Sequence, residues 1–492
     1  MASILKRSAL ALLVILVLLA ALLAWTQYSN SSDLPSTATT GPDPKLVDPA
    51  PQWFPSVSLP KTVGWGADGK PDAGKGLSVS RFAEGLDHPR TMLTLPNGDV
   101  LVTETNAPAV SREGGGITGA VARWMMKRVG AGEASPDTIV LLRDANGDGK
   151  AEQRFTFRTA DMRSPSGMAY GDGTLYVADH DAVLAFPFTP GATKLTSAPR
   201  KLMDLPAGGQ HWMRNLLLSP DGAHLYVAVG SGTNVADNGL DAEKGRAGIW
   251  EIDTKTGSHR PYAAGMRNPN GMDWNPSTGM LWATVQERDM LGPDLVPDYL
   301  TDVPVGAQYG WPWVYWRDHF DDRANYPMQI GMTDYTRRPR YAMGAHTAVL
   351  GMTFAKGGER LGPGFANGAF IARHGSWNRR PAVGYDVVYV PFDALGNATA
   401  AMLVPVLSGF LDGKGDTHGR PVWLTWGHDG SLLVSDDTAG MIWRVIAPGA
   451  APSPAPKPVV TDHMKPQTEL KDPSLITPQM LMGGMMKSSD GQ

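Results

Sequence analysis

Apolar and polar positions divide this chain into three regimes. An uninterrupted apolar run of 17 residues, Ala9 to Trp25, follows Lys6 and Arg7. From there to about residue 76 no periodicity holds, and the chain is rich in Ser, Pro, Thr and Gly. Between Leu77 and Val445 short apolar-polar alternations recur, each entered through a turn. Alternation with a period of two marks strands that bury one face.

The turns are the regular feature. Asn97-Gly98 opens 96–102, Asp172-Gly173 opens 171–177 and Asp221-Gly222 opens 220–227. Ser277 and Gly279 lie in 276–282, Asn367-Gly368 opens 366–371 and Asp429-Gly430 opens 428–434. Asn-Gly and Asp-Gly between alternating stretches are strong hairpin signals. Repeats of roughly 60 residues point to supersecondary units stacked around an axis. No amphipathic helices alternate with the strands, which argues against a parallel α/β fold. The fold predicted is all-β: a six-bladed β-propeller over 77–446, behind an N-terminal transmembrane anchor. The strand after each turn is read as the inner strand of its blade.

The first 27 residues are read as that anchor, since 17 apolar residues approach the length that crosses a bilayer. No clear Ala-x-Ala cleavage site follows, and the positive flank stays cytoplasmic, which sends the body to the periplasmic face. A cleaved signal peptide is the alternative. Residues 28–76 read as a tether lifting the body off the membrane. Residues 447–492 read as a Pro- and Met-rich tail ending near Met480, Met482, Met485 and Met486.

Composition narrows the chemistry. A net charge of −4 with 19% charged residues gives nucleic acid no footprint. The absence of cysteine excludes disulfides, thiolate nucleophiles, iron–sulfur clusters and covalently attached c-type haem.

Five clusters carry the reactive side chains. Gly208-Gly209-Gln210-His211 with Arg214 and Asn215 sets a titratable imidazole beside a glycine-rich approach. A satisfied structural histidine is the plainer reading of a lone imidazole, weakened here by the clusters that follow. Arg267-Asn268 suits planar recognition of a carboxylate or carbonyl, and a turn held by Asn side chains is the plainer reading. Gln286, Glu287 and Asp289, together with loop carbonyls, form an oxygen-rich set of the kind Ca²⁺ takes. Neighbouring side chains alternate along an extended chain, so backbone carbonyls would have to contribute, and a surface ion pair with Arg288 is the alternative. Arg373-His374 with Arg379, and His418 with Arg420 and Asp437, place cations at strand ends, where they would line a site for a small polyanion. Asp144-Ala145-Asn146-Gly147-Asp148-Gly149 starts like a calcium loop, but Phe155 stands where an EF-hand needs Glu, so a hairpin turn is favoured.

In order, about one per repeat, these clusters resemble the quinoprotein sugar dehydrogenases of the glucose/sorbosone dehydrogenase family. The membrane-associated L-sorbosone dehydrogenase branch is the nearest in pattern. The marks are Gly209-Gln210-His211, Arg267-Asn268-Pro269, Glu287-Arg288-Asp289, Tyr309-Gly310-Trp311-Pro312, His374-Gly375-Ser376-Trp377-Asn378-Arg379 and Asp437-Thr438-Ala439-Gly440. The resemblance implies pyrroloquinoline quinone (PQQ) with Ca²⁺ over the propeller mouth and His211 as general base for an aldose or sugar aldehyde. Gln210, Arg267, Asn268, Arg373, His374, Arg379, His418, Arg420 and Asp437 would contact the cofactor, and Gln286, Glu287 and Asp289 the metal. Electrons would leave to a separate acceptor such as ubiquinone or a cytochrome. A Ca²⁺-dependent propeller lactonase and a sugar- or protein-binding propeller without turnover are the competing expectations. Sugar specificity is assigned to insertions: the segment 112–128 and the loop at Arg317-Asp318-His319.

Overall fold

The computed structural model describes residues 2–29, 31–52, 58–108, 134–159, 161–328 and 330–459. The expected contributions of 112–128 and of the Met-rich end lie outside these residues. Six sheets stand around one axis, antiparallel throughout except where Ala307–Gln308 joins blade three's outer strand in parallel. Their inner strands are Pro89–Thr94, Gly167–Gly171, Leu216–Leu218, Asn268–Trp274, Val349–Phe354 and Pro421–Trp426. Each inner strand lies beside the next, and the sixth returns to the first. The N-terminal strand Ser78–Ala83 pairs with Met441–Ile446 and completes blade six, so the two ends of the ring lock each other.

The six turns found in the sequence each join an inner strand to the second strand of the same blade. Gly98 and Gly222 adopt φ of 91° and 72°, a left-handed conformation that glycine reaches without Cβ strain. The strand after each turn is therefore the second of its blade, which corrects the reading of it as the inner one. His211, likewise, is followed first by the short strand Leu216–Leu218 and only then by His224–Val229.

Alternation supplies the core. One apolar cluster fills each of the six seams between blades. Leu101, Leu141, Leu175 and Val177, all fully buried, join blades one and two. Burying a side chain of that size contributes roughly 1.5–3 kcal/mol, and both faces of every sheet are used. The result is a rigid ring that fixes the loops at its ends.

Among the described residues one helix, Ala2–Ser29, is long and apolar enough over Lys6–Tyr28 to cross a membrane. The stretch after it is not a free tether. Ser32 N donates to Arg380 O (2.8 Å), Thr40–Gly41 pairs with Ala342 and Met343, and Ala50 N donates to Leu291 O (3.0 Å). Val63 N donates to Thr417 O (2.8 Å), and Asp72–Ala73 adds a strand to blade five. Ser, Pro and Gly carry no periodicity to read, but their backbone groups still find partners, and here those partners are on the propeller.

Candidate functional site

Loops entering inner strands and loops leaving second strands open on the same face, here called the mouth. Strand order alone brings residues 211, 267–268, 286–289, 346, 373–374, 418–420 and 436–437 to it. The loop carrying His211 turns through Gly208 (φ 70°) and Gly209 (φ 85°). A Cβ on Gly209 would lie 2.9 Å from the Gly232 Cα, so glycine is required where these backbones touch. Gln210 N donates to Gly232 O (2.8 Å), while the Gln210 side chain itself is exposed. The fully buried Arg214 guanidinium donates to His211 O (2.8 Å), Met213 O (3.0 Å) and Pro206 O (2.8 Å), which ties the loop to itself.

The hydrogen bonds decide the state of the imidazole. His211 Nδ1 lies 2.8 Å from Ser231 O and 3.0 Å from Ser231 Oγ. The Ser231 hydroxyl gives its one hydrogen to Thr233 O (2.6 Å). Both atoms facing Nδ1 can then only accept, so the ring proton sits on Nδ1. Nε2 has no partner among the described residues and keeps its lone pair. Burial, and after it the Arg267 charge, push the His211 pKa down to about 3. The ring is neutral at neutral pH, with one bare nitrogen.

Beside it, a Cβ on Gly230 would meet Asn268 Oδ1 at 2.3 Å and His211 Cβ at 2.5 Å. Asn268 Nδ2 donates to Gln286 Oε1 (2.9 Å), and Gln286 Nε2 donates to Val349 O (3.0 Å). A line of amides thus runs from His211 to blade five. Across the mouth, Asp437 accepts from Arg90 and from His374 Nε2 (3.0 Å). Arg420 donates to His374 O and Gly375 O, both at 2.9 Å, and stacks over Tyr385. Burial lowers the His374 pKa to about 4, and His374 with the two arginines holds the Asp437 carboxyl well below its usual range. Met213 packs with Leu350, Val422, Trp212 and Trp423, and Trp212 lies under Arg90. This cluster spans blades three, five and six.

The three side chains expected at the metal do not converge on one point. Gln286 is engaged by amides, whereas Glu287 is buried and accepts from Arg288 Nε (3.0 Å). Arg288 reaches on to Pro312 O (2.8 Å) and Val314 O (2.9 Å) in the insertion that follows blade four's third strand. Asp289 pairs with Arg267 (3.2 Å) and with His346 Nδ1 (3.1 Å). Successive residues leave an extended chain on different sides, so these three carboxyl and amide groups diverge. The Arg288 pair is the arrangement present, but it is buried instead of exposed.

Three of the expected cationic contacts are already neutralised within the protein. Arg267 donates to Asn234, Glu287 O and Asp289, Arg373 to Asp386, and Arg379 to Asp294, Pro293 O and Leu34 O. His418 Nδ1 meets Gly64 O (2.6 Å), and its ring stacks on Trp65. Asp144, Asp148 and Glu152 gather at the opposite face, where Asp144 accepts from the backbone of Gly147 and Gly149 as a turn residue does. Sequence reasoning missed Arg90, Ser231, Asn234 and His346. Arg90 had a signal: it enters blade one's inner strand as Arg267 and Arg420 enter theirs.

The TrAA12-like family model matches residues 138–297 and 329–447, more than half of the chain. The chain belongs to the TrAA12-like family. An uncharacterized protein of Borreliella burgdorferi is 27% identical over 303 residues, covering 58% of this chain and 76% of that one. A pyrroloquinoline quinone-dependent pyranose dehydrogenase of Coprinopsis cinerea is 33% identical over 124 residues, 22% of this chain and 16% of that enzyme. Among solved structures, a Trichoderma reesei carbohydrate-active enzyme of family AA12 superposes with a TM-score of 0.62 at 20% identity, over 78% of this chain and 98% of that one. The holo PQQ domain of the Coprinopsis enzyme gives 0.58 at 20% identity, over 79% and 100%. These likenesses establish a shared propeller fold. The TrAA12-like match covers the third and fourth strands of blade one, the four main strands of blades two, three and five, blade four without its third strand Pro297–Asp302, and blade six without Ser78–Ala83.

Proposed function

We propose that this chain is a PQQ-dependent dehydrogenase of an aldose or sugar aldehyde, with His211 as general base. The observation that carries it is the bare Nε2 of a neutral imidazole whose tautomer is fixed by Ser231. Support comes from the family match and from the Coprinopsis relative, which is named for PQQ and a pyranose.

The mouth offers a fit for a planar polyanion. Arg420 keeps Nη1 uncommitted among the described residues, and Arg90, although paired with Asp437, has a buried Nε without a partner among them. Arg90 and Arg420 would hold carboxylates, and Asn268 a ring oxygen. When bound, the quinone supplies the two-electron acceptor for hydride. His211 Nε2 would take the proton of the sugar's C1 hydroxyl, or of the hydrate of an aldehyde. The imidazolium so formed keeps its Nδ1 hydrogen on Ser231 O, so no second proton moves. General-base assistance of this kind contributes about 10²–10⁴ in rate. The Gln286, Glu287 and Asp289 side chains do not share one Ca²⁺ site, so a bound Ca²⁺ would have to be held by loop carbonyls.

The body lies outside the cytoplasm in this reading, held by the N-terminal helix and passing electrons to a separate acceptor such as ubiquinone or a cytochrome. The L-sorbosone branch is the narrower form of the same proposal. One observation favours a binding propeller without turnover: Arg267, Arg373 and Arg379 are already neutralised. Titrating the purified protein with PQQ, then adding a panel of aldoses and sorbosone while following quinone absorbance and dye reduction, tests both. Sugar-dependent bleaching supports the dehydrogenase, and saturating PQQ without binding refutes it.

A further inference from the structure

We infer that the mouth faces the membrane and that its rim at blades four to six is a docking surface for a lipid bilayer. The inference rests on reading the N-terminal helix as an anchor, not on the bound cofactor. Ser31 N donates to Tyr28 O (3.1 Å) and Ser31 Oγ to Gln27 O (2.9 Å), so Ser31 sits on the helix end. The next residue is fixed to the propeller: Ser32 N donates to Arg380 O and Ser32 Oγ to Asp294, both at 2.8 Å. Arg379 binds Asp294 and the Leu34 carbonyl (3.0 Å), which clamps the same point. Asp294 and Arg380 follow the second strands of blades four and five, on the mouth side. Consecutive Cα atoms are about 3.8 Å apart, so no length of chain exists to lift this rim away from a helix that crosses the bilayer.

The rim has the chemistry of an interface. Trp377 (40% exposed) lies three residues before the exposed Arg380. Val63 (45% exposed) and the exposed Lys61 lie on the strap, whose backbone bonds Thr417 at the entry to blade six. Tryptophan and cations concentrate at the lipid headgroup level. A mouth in this orientation meets membrane-confined partners directly.

The chain has no cysteine, so single cysteines can be placed without background. Trp377→Cys marks the rim, and Lys255→Cys marks the turn after blade three's third strand on the opposite face. Full-length protein carrying a fluorescent label at either site would be reconstituted into vesicles of phosphatidylcholine and phosphatidylglycerol with a headgroup-borne nitroxide quencher. Quenching several-fold stronger at 377 than at 255 is expected. A flexible insertion of about 20 residues between Ser29 and Ser31 should reduce that difference. Protein that floats with the vesicles yet shows equal quenching, or stronger quenching at 255, overturns the orientation while leaving the anchor standing. Protein that does not float, or whose intact mass lacks the first residues, overturns the anchor and the inference with it.

Discussion

Two histidines at the mouth, His211 and His346, are built for opposite ends. His346 gives Nδ1 to Asp289 (3.1 Å) and Nε2 to Gly292 O (2.9 Å). Both partners accept, an arrangement that favours hydrogen on both nitrogens, and the Asp289 bond raises the ring's pKa against the pull of burial. His211 has one nitrogen held by acceptors and the other bare among the described residues. The first arrangement joins blades four and five, and the second leaves a base available to a ligand. A buried ionisable group acts in chemistry only where the scaffold leaves one of its valences unmet.

The contrast breaks most sharply at His211. His211→Gln removes the base and keeps a polar side chain, so turnover should fall by about 10²–10⁴ while PQQ binding and melting temperature stay near wild type. Unchanged turnover in a steady-state dye assay would remove His211 from the mechanism. On the structural side, Glu287→Ala leaves the buried Arg288 cation with only the longer Asp321 pair (3.5 Å), and breaking a buried pair costs up to about 3–5 kcal/mol. Denaturant unfolding should show that loss, and a loss below about 1 kcal/mol would mean that Asp321 alone holds the Arg288 cation.

Gly230→Ala bears on the link between the two regions. Its methyl would overlap Asn268 Oδ1 and His211 Cβ, displacing the base by a fraction of an ångström with the fold intact. We expect kcat to fall about tenfold, within the range that small misplacements of reacting groups produce. A variant with wild-type kcat would show that the His211 position is not set by this contact.

What the sequence made legible follows a physical rule. Turn chemistry is local, so Asn97-Gly98 or Asp429-Gly430 announces a hairpin by itself, and six of them announce the propeller. The apolar run at Ala9–Trp25 is equally local, and the helix Lys6–Tyr28 is there. Pairings such as Arg379 with Asp294, Arg90 with Asp437 and Asp289 with His346 join loops of different blades, and no short window contains both members. Hence residues 286–289 looked like ligands when read alone, and residues 28–76 looked like a tether because bonds made by backbone leave no mark in side-chain periodicity. His211 was legible as a reactive residue, but its tautomer was not, since Ser231 lies 20 residues on.

The smallest effect separates the two histidines by pH. An unperturbed imidazole titrates near 6.5. His346 has a raised folded pKa, so its contribution to stability is complete below about 6.5 and is lost as pH rises through the folded value. His211 has a folded pKa of about 3, so its contribution is complete above about 6.5 and falls away as pH drops toward 3. Buried carboxyls such as Asp298, pushed up to about 6, titrate in the same range, so each histidine is read as a difference between variant and wild type. His346→Gln minus wild type should vary with pH only above about 6.5, and His211→Gln minus wild type only below it. Melting temperatures from pH 4 to 9 give both curves. If both differences changed on the same side of 6.5, the two rings would share one protonation state, and the division between a binding histidine and a reactive one would fail.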